Sequence, residues 1–593
     1  MFSAVLTSFL LVTSGRATPA GAADTTHPPN IIIIMTDDQG YGDLGIHGNP
    51  IIKTPNLDAM ARRSARMEKF YVSPVCTPTR ASLMTGRYNY RTRAIDTNRG
   101  RAMMDPEERT AAEILGNAGY ATGIFGKWHL GDEYPLRPTD QGFGEALVHR
   151  GGGIGWWSDP PEQDSNYTDP VLYHNGEMTH TEGYVTDVLF DHALQWIEAK
   201  HRQGRPFFAY IPTNVPHKPL NDPPQEEYEY YKSLDLDKDQ FPQDRGHELT
   251  KDYDPDQLAR IYAMITDVDE NVGRLFNRLG QLGITDNTIV IFMVDNGPNS
   301  WRYVAGYRGK KQWEYEGGIR SPFFVHWPAQ LQAGQTSDRI AAHIDVLPTI
   351  LDAADVALPK GLNIDGRSLL PLLKGQDVNW PDRELVFQWH RGDRPARYHN
   401  FAIRSQRWKL LNASGGGRKA LAGTPDFELY DMKNDPFETR NVASEHPGVV
   451  KKMREAYDEW FTDVSHTRLD NYTPPRIFLG APQDSLTLLT RQDWRCTSAH
   501  PCRAGNRDAV GYWLIRVVDP GSYTVRFRFK ASEVPGLAQL EVGAAHRIKK
   551  LEPGATSSTF RNVRIPRGKA RFEALLMYEN NTRGVYQVDV IKQ

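Results

Sequence analysis

Cysteine is almost absent from this chain: there are three in 593 residues. Three are too few for a disulfide framework. Cys496 and Cys502 stand close together in a β-rich tail and are expected to pair in an exported protein. That leaves Cys76 alone. An excess of one charge is also missing, because 70 Lys and Arg stand against 73 Asp and Glu, a net charge of −3. This balance excludes a general nucleic-acid binder, which needs a basic field. It also gives little long-range steering of an anion, so an anion site has to be built locally. No apolar run is long enough to span a bilayer. The run at residues 5–12, within "MFSAVLTSFLLVTSGRATPAGAAD", is followed by small residues and an Ala-rich cut site near Ala23. Residues 1–23 read as a secretory signal, although the usual basic start is missing. The expected location is secreted or periplasmic.

What is present is a chain too long for one core, so at least two domains are expected. "PNIIIIMTDDQG" reads as a strand buried on both faces of a parallel sheet. "TPNLDAMARRSARM" reads as a helix with Thr54 as cap and Pro55 at its first position. "DPEERTAAEILGNAGY" reads as a second helix, capped by Asp105. Strands "TGIFGKW", "PFFAYIPTN" and "NTIVIFMVDNG" alternate with helical patterns up to residue 375. This alternation predicts an α/β domain over 28–375, a large and mostly parallel sheet flanked by helices. From 380 to 466 the pattern changes to short strands closed by "PGVVKKMREAYDEWFTDV", which predicts a small antiparallel sheet with one helix. After the Pro-rich "NYTPPRIF", residues 474–593 alternate as in an accessory β-sandwich. The polar stretch 221–246 reads as a long surface loop, either a pocket wall or a plain excursion.

In open α/β sheets, ligands bind beyond the carboxyl ends of the strands. Asp37 and Asp38 end the first strand, Lys127 and His129 follow "TGIFG", His217 follows "FFAYIPTNVP", and Asp295 and Asn296 end "IVIFMV". Each alone has a bland reading as a turn or surface residue. Together they form one edge. Asp37, Asp38, Asp295 and Asn296 are oxygen donors, which suit a hard cation, Ca²⁺ or Mg²⁺, rather than zinc. Arg80, Lys127, His129 and His217, with a lysine of "RGKKQWEYEGGIRSP", are the groups for a tetrahedral oxyanion.

"CTPTRASLMTG" reads as a helix start, with Thr77 as cap, Pro78 in the first turn and Gly86 at the end. Cys76 then stands where the helix dipole favours a thiolate. It reads as a buried apolar residue or as a nucleophile. A phosphatase-type Cys loop has a wider Cys-to-Arg spacing and leaves the oxygen donors unexplained.

These residues resemble the sulfatase family. "CTPTRASLMTGR" matches its signature, and "GKWHLG", "PHKP", "DNG", "KKQWEYEGGIRSP" and "ELYDMKNDPFETRN" follow in the family's order. The resemblance covers about residues 28–465, and the tail lies outside it. It implies an alkaline phosphatase-like fold and conversion of Cys76 to formylglycine by a maturation enzyme that reads Pro78 and Arg80. It implies Ca²⁺ on Asp37, Asp38, Asp295 and Asn296, with the modified Cys76 as a further ligand. It makes Arg80 a support for the nucleophile and the metal, and His129 the base that triggers sulfate release. Lys127 and Lys311 become ligands of sulfate oxygens, and His217, with Lys311, faces the leaving-group oxygen. Lys311 is chosen over Lys310 because it lies five residues before Glu316. One polar ligand expected soon after "GKWHLG" has no match in "HRGGGIGWWSDPP".

The implied partner is a sulfated carbohydrate or a small sulfate ester. A phosphodiester or phosphonate monoester hydrolase of the same superfamily is the alternative, and an inactive carbohydrate-binding protein is a third reading. The Trp-containing segment 151–157 is expected to shape the leaving-group subsite, by stacking on a sugar or by core packing. The tail is expected to bind glycan or to be a structural appendage.

Overall fold

The computed structural model describes residues 28–593 except 160–165, 250–251, 377–378, 418, 420, 422, 468–469, 471, 497–508 and 580. The signal reading of residues 1–23 and the position of Cys502 lie outside the described residues. Cys496 is disulfide-bonded and Cys76 is free.

The isoleucine run forms the strand Asn30–Thr36 near the middle of an 11-stranded sheet. Parallel strands Phe207–Pro212 and Thr288–Val294 flank it, and Ala121–Lys127 lies beyond the first of these. Alternate side chains point to opposite faces of a strand. Accordingly Ile31, Ile33 and Met35 enter one core while Ile32 and Ile34 enter the other. Helices Cys76–Thr85, Ala111–Asn117 and Val346–Ala353 cover the first face. Helices Pro55–Arg63, Val185–Arg202 and Pro255–Gln281 cover the second. The strand Phe323–His326 runs antiparallel to its neighbours, so the sheet is mixed. Two faces covered by helices explain why the central strands read as unbroken apolar runs.

Residues 385–431 form a four-stranded antiparallel sheet. The helix Pro447–Ser465 packs on it through Met453, Tyr457, Phe461 and Val464. Beyond residue 476, a seven-stranded and a four-stranded sheet enclose a core that includes Trp494, Trp513, Phe527 and Phe572. That core also takes in Met103 and Leu136 from the α/β domain.

Three local readings change. The second helix starts at Ala111 with Thr110 as its cap, not at Asp105. Thr110 Oγ1 accepts from Glu113 N (3.1 Å) and Glu113 Oε2 accepts from Thr110 N (2.9 Å), a reciprocal pair that satisfies two end groups at once. Asp105 instead accepts from Arg93 Nε (2.7 Å). The helix of the cysteine begins at Cys76 itself, and Thr77 Oγ1 donates to the His129 carbonyl (3.3 Å) rather than capping. The stretch 221–246 is not a plain loop. It carries the helix Gln225–Lys232, whose Tyr228 Oη donates to Asp256 (2.6 Å) and whose Tyr231 packs against Tyr262, both partners on the long helix Pro255–Gln281.

Candidate active site

Parallel strands end at the same edge, so Asp37 and Asp38, Lys127, and Asp295 and Asn296 converge there. The helix Cys76–Thr85 points its first residue at this edge, and all ten of its residues are buried. Arg80, one turn on, donates to Asp295 Oδ2 through Nη2 (2.8 Å) and Nε (3.2 Å), and to the Lys127 carbonyl (2.6 Å). Lys127 Nζ meets Asp37 Oδ2 at 2.5 Å, and Lys311 pairs with Asp38 Oδ1. Asn296 Nδ2 donates to Asp38 Oδ1 (2.8 Å). His217 Nε2 lies 3.8 Å from Asp38 Oδ2, and His217 Nδ1 donates to the Lys218 carbonyl (2.6 Å). The polar residues at the strand ends therefore gather at one edge, and His129, His217 and Lys311 share a pocket with Cys76. Lys310 does not belong with them: its Nζ donates to the Asn299 carbonyl (3.3 Å).

His129 Nδ1 lies 3.4 Å from Cys76 Sγ, and His129 Nε2 lies 2.9 Å from the Thr97 carbonyl. A carbonyl can only accept. The proton therefore sits on Nε2, and the lone pair of Nδ1 faces Cys76. Asp38 and His129 have φ of 65° and 59°, the left-handed region that such residues hold only where their surroundings impose it.

Burial shapes the charges. It would raise the Asp37 carboxyl, but Lys127, then His217, Arg80 and Lys311 outweigh it and hold Asp37 below the usual carboxylate range. For Asp38 the same contest is won by Lys311 and His217, and its carboxyl is also lowered. Burial, then the charge of Asp37, push Asp295 up despite Arg80. Burial and Lys127 push His129 well below its ordinary value, which keeps the ring neutral. Burial lowers His217 to about 4 against the pull of Asp37 and Asp38.

Among the described residues, Asp37 Oδ1, Asp38 Oδ2 and Asn296 Oδ1 are buried oxygens at this edge without a hydrogen-bond partner. Orphaned buried acceptors are costly. Asp37, Asp38 and His217 also place ligand atoms within 4.8 Å of one another. The orphaned atoms are all oxygens, so the residues present fit a hard cation better than a nitrogen-seeking one. Another grouping, Glu145 with His174 and His192, lies half-buried on other elements, where both imidazoles already bond the carboxylate (2.7 and 2.9 Å).

A small pocket of about 100 Å³ opens over Cys76, walled by His129, His217, Lys311, Trp156 and Gln492. No residue of 221–246 lines it. A larger cavity of about 450 Å³ lies between the α/β domain and the tail, along Trp128, Arg150 and Gln483, and does not include Cys76. The Gly-rich segment has a steric reason. A Cβ at Gly152 would come within 2.9 Å of His129 Cε1, and one at Gly153 within 3.3 Å of His217 Nδ1. Gly152→Ala is expected to tilt the His129 ring and lower kcat about 100-fold, since misplacement by about 1 Å costs that much. Steady-state kinetics at unchanged thermal stability check this; a parental kcat would contradict it.

Thr97, Arg391 and Gln492 also reach the pocket and were not singled out in the sequence. Thr97 and Arg391 lie in irregular segments without a motif. Gln492 lies in the tail, outside the stretch that resembles the family.

Comparison with known proteins identifies the family. The family model "Sulfatase" matches residues 29–356, and "N-sulphoglucosamine sulphohydrolase, C-terminal" matches 306–462. Human arylsulfatase A is 31% identical over 490 residues, covering 74% of this chain and 89% of the relative. N-acetylgalactosamine-6-sulfatase of Canis lupus familiaris is 31% identical over 424 residues, covering 66% and 74%. The solved structure of Ps i-CgsB in complex with k-i-k-neocarrahexaose is 27% identical with a TM-score of 0.61, covering 74% of this chain and 94% of that one. No helix among the described residues is long and apolar enough to cross a membrane. The chain belongs to the type I sulfatases of the alkaline phosphatase superfamily and is a sulfuric ester hydrolase.

Proposed function

We propose that this protein removes sulfate from a sulfated carbohydrate, with Cys76 matured to formylglycine and Ca²⁺ held by Asp37, Asp38, Asp295, Asn296 and residue 76. The observation that carries the reading is the set of orphaned oxygens beside the Cys76–His129 contact. The aldehyde hydrate would supply two hydroxyls on one carbon: a nucleophile for sulfur, displacing the alcohol of the ester, and a second hydroxyl whose deprotonation would re-form the carbonyl and expel sulfate. The ion supplies positive charge that draws in and polarises an anionic ester.

The chain's own residues take the remaining roles. His129 Nδ1, unprotonated and aimed at residue 76, accepts the proton there. Lys127 and Lys311 are buried cations for sulfate oxygens. His217 and Lys311 line the same pocket; Lys311 carries the proton for the leaving oxygen, and His217, neutral with its proton on Nδ1, faces the pocket beside it. Arg80 holds Asp295 and the Lys127 carbonyl in place. Asp37, Asp38 and Asp295 face the cations Arg80, Lys127 and Lys311, and with Asp295 ionised these charges would cancel. A divalent cation leaves such a site net positive, as an anionic substrate requires.

The carbohydrate substrate rests on the names of the relatives, an N-acetylgalactosamine-6-sulfatase and a structure holding neocarrahexaose. Trp156, beside His217 with ring centroids 5.2 Å apart, offers an apolar face at the pocket mouth. A screen of defined sulfated sugars, read as desulfated product, tests this reading. Aryl sulfate is expected to turn over at least about 100-fold faster than an aryl phosphate diester, an expected difference of about 2.7 kcal/mol in transition-state binding. Faster cleavage of the diester would favour the phosphodiesterase alternative.

A further inference from the structure

The tail does not stand apart from the catalytic edge. Gln492 lies between the strands Leu486–Thr490 and Arg495–Cys496, and its side chain is buried. Its Nε2 donates to the Thr97 carbonyl (2.9 Å) and lies 3.2 Å from His129 Nε2. His129 Nε2 donates to the same carbonyl. One backbone oxygen thus receives both N–H groups, and Gln492 stands against the side of the ring that faces away from Cys76.

The seam around this contact is continuous. Gly100 N donates to the Gln492 carbonyl (3.2 Å), so the loop that carries Thr97 is tied to the tail by its backbone as well. Arg495 Nη1 donates to the Arg99 carbonyl (2.9 Å), and Phe478 N donates to the Tyr134 carbonyl (3.1 Å). Met103 and Leu136 of the α/β domain are buried in the core of the tail. A Cβ at Gly151 would lie 3.5 Å from Gln492 Cδ, so the Gly-rich segment and the tail meet across the pocket wall.

We propose that the C-terminal β-unit is part of the catalytic centre, with Gln492 as a positioning residue that fixes the Thr97 carbonyl and, through it, the imidazole of His129. The inference rests on the role given to His129 above. An imidazole held by one carbonyl can tilt about that bond. A second donor on the same carbonyl, pressed against the ring edge, removes that freedom. Orientation of this kind is worth one to two orders of magnitude in rate.

The test uses the full chain carrying Gln492→Met, which keeps length and removes both polar atoms, and Gln492→Ala as a second variant. On a small aryl sulfate, kcat is expected to fall about 10- to 100-fold with KM within about twofold of the parent, at equal aldehyde content of residue 76 and similar thermal stability. Crystal structures of the same variants in a Cys76→Ser background are expected to show the His129 ring turned off the Thr97 carbonyl. Parental kcat in a folded variant would overturn the proposal. So would a lowered kcat with the ring in its original place, because Gln492 would then act on substrate directly. If Cys76→Ala kept full activity, the reading of the centre itself would fail. If Cys76→Ala is inactive and Gln492→Met is not impaired, only the present inference fails.

Discussion

Cys76→Ala is expected to lower kcat by on the order of 10⁴-fold or more, because in the proposed mechanism it removes the group that attacks sulfur. The fold is expected to survive. Cys76 is the first residue of its helix and is buried, yet among the described residues its sulfur makes a single polar contact, to His129. Losing it costs about 1 kcal/mol, against a typical 5–15 kcal/mol for a folded domain. Circular dichroism and thermal melting separate the two effects. An inactive and unfolded variant would be uninformative about the nucleophile, so Cys76→Ser serves as a control of nearly equal volume. A Cys76→Ala protein that turns over aryl sulfate at the parental rate would refute the assignment.

Metal removal is expected to have the next largest effect. Exhaustive chelation should reduce activity at least about 100-fold, and added Ca²⁺ should restore it. The same titration has a thermodynamic readout. Among the described residues Asp37 Oδ1, Asp38 Oδ2 and Asn296 Oδ1 have no hydrogen-bond partner, so a bound ion would stabilise the folded chain selectively. At an ion concentration of 100 times Kd the gain is about 2.7 kcal/mol, and the melting temperature should rise with it. Mutating the ligands is a less direct probe. Asp37→Asn would also strip Lys127 and Arg80 of a buried counter-charge, at a cost of about 3–5 kcal/mol. Activity and melting temperature both indifferent to chelator would contradict the four-oxygen site.

The large sheet was legible because a strand buried on both faces leaves an unbroken apolar run, as in "IIII". The polar edge of the sheet was legible for a related reason. Polar residues directly after such runs, among them Asp37, Asp38, Asp295 and Asn296, have to emerge at one side of a parallel sheet. Local competition between signals was harder to read. Asp105 is a good cap by type, but Thr110 and Glu113 satisfy each other and start the helix later. The polar stretch 221–246 hides Tyr228 and Tyr231, whose spacing puts them on one face of a helix turned to the long helix Pro255–Gln281. Gln492 was not legible at all. It lies 363 residues from His129 in the chain, and no pattern of period 2 or 3.6 reports where a separate β-unit docks.

The most direct test of the account is the mass of the peptide that carries residue 76, taken from enzyme shown to be fully active. The account predicts that the side chain there is an aldehyde or its hydrate. Full activity with an unaltered cysteine thiol at residue 76 would contradict it.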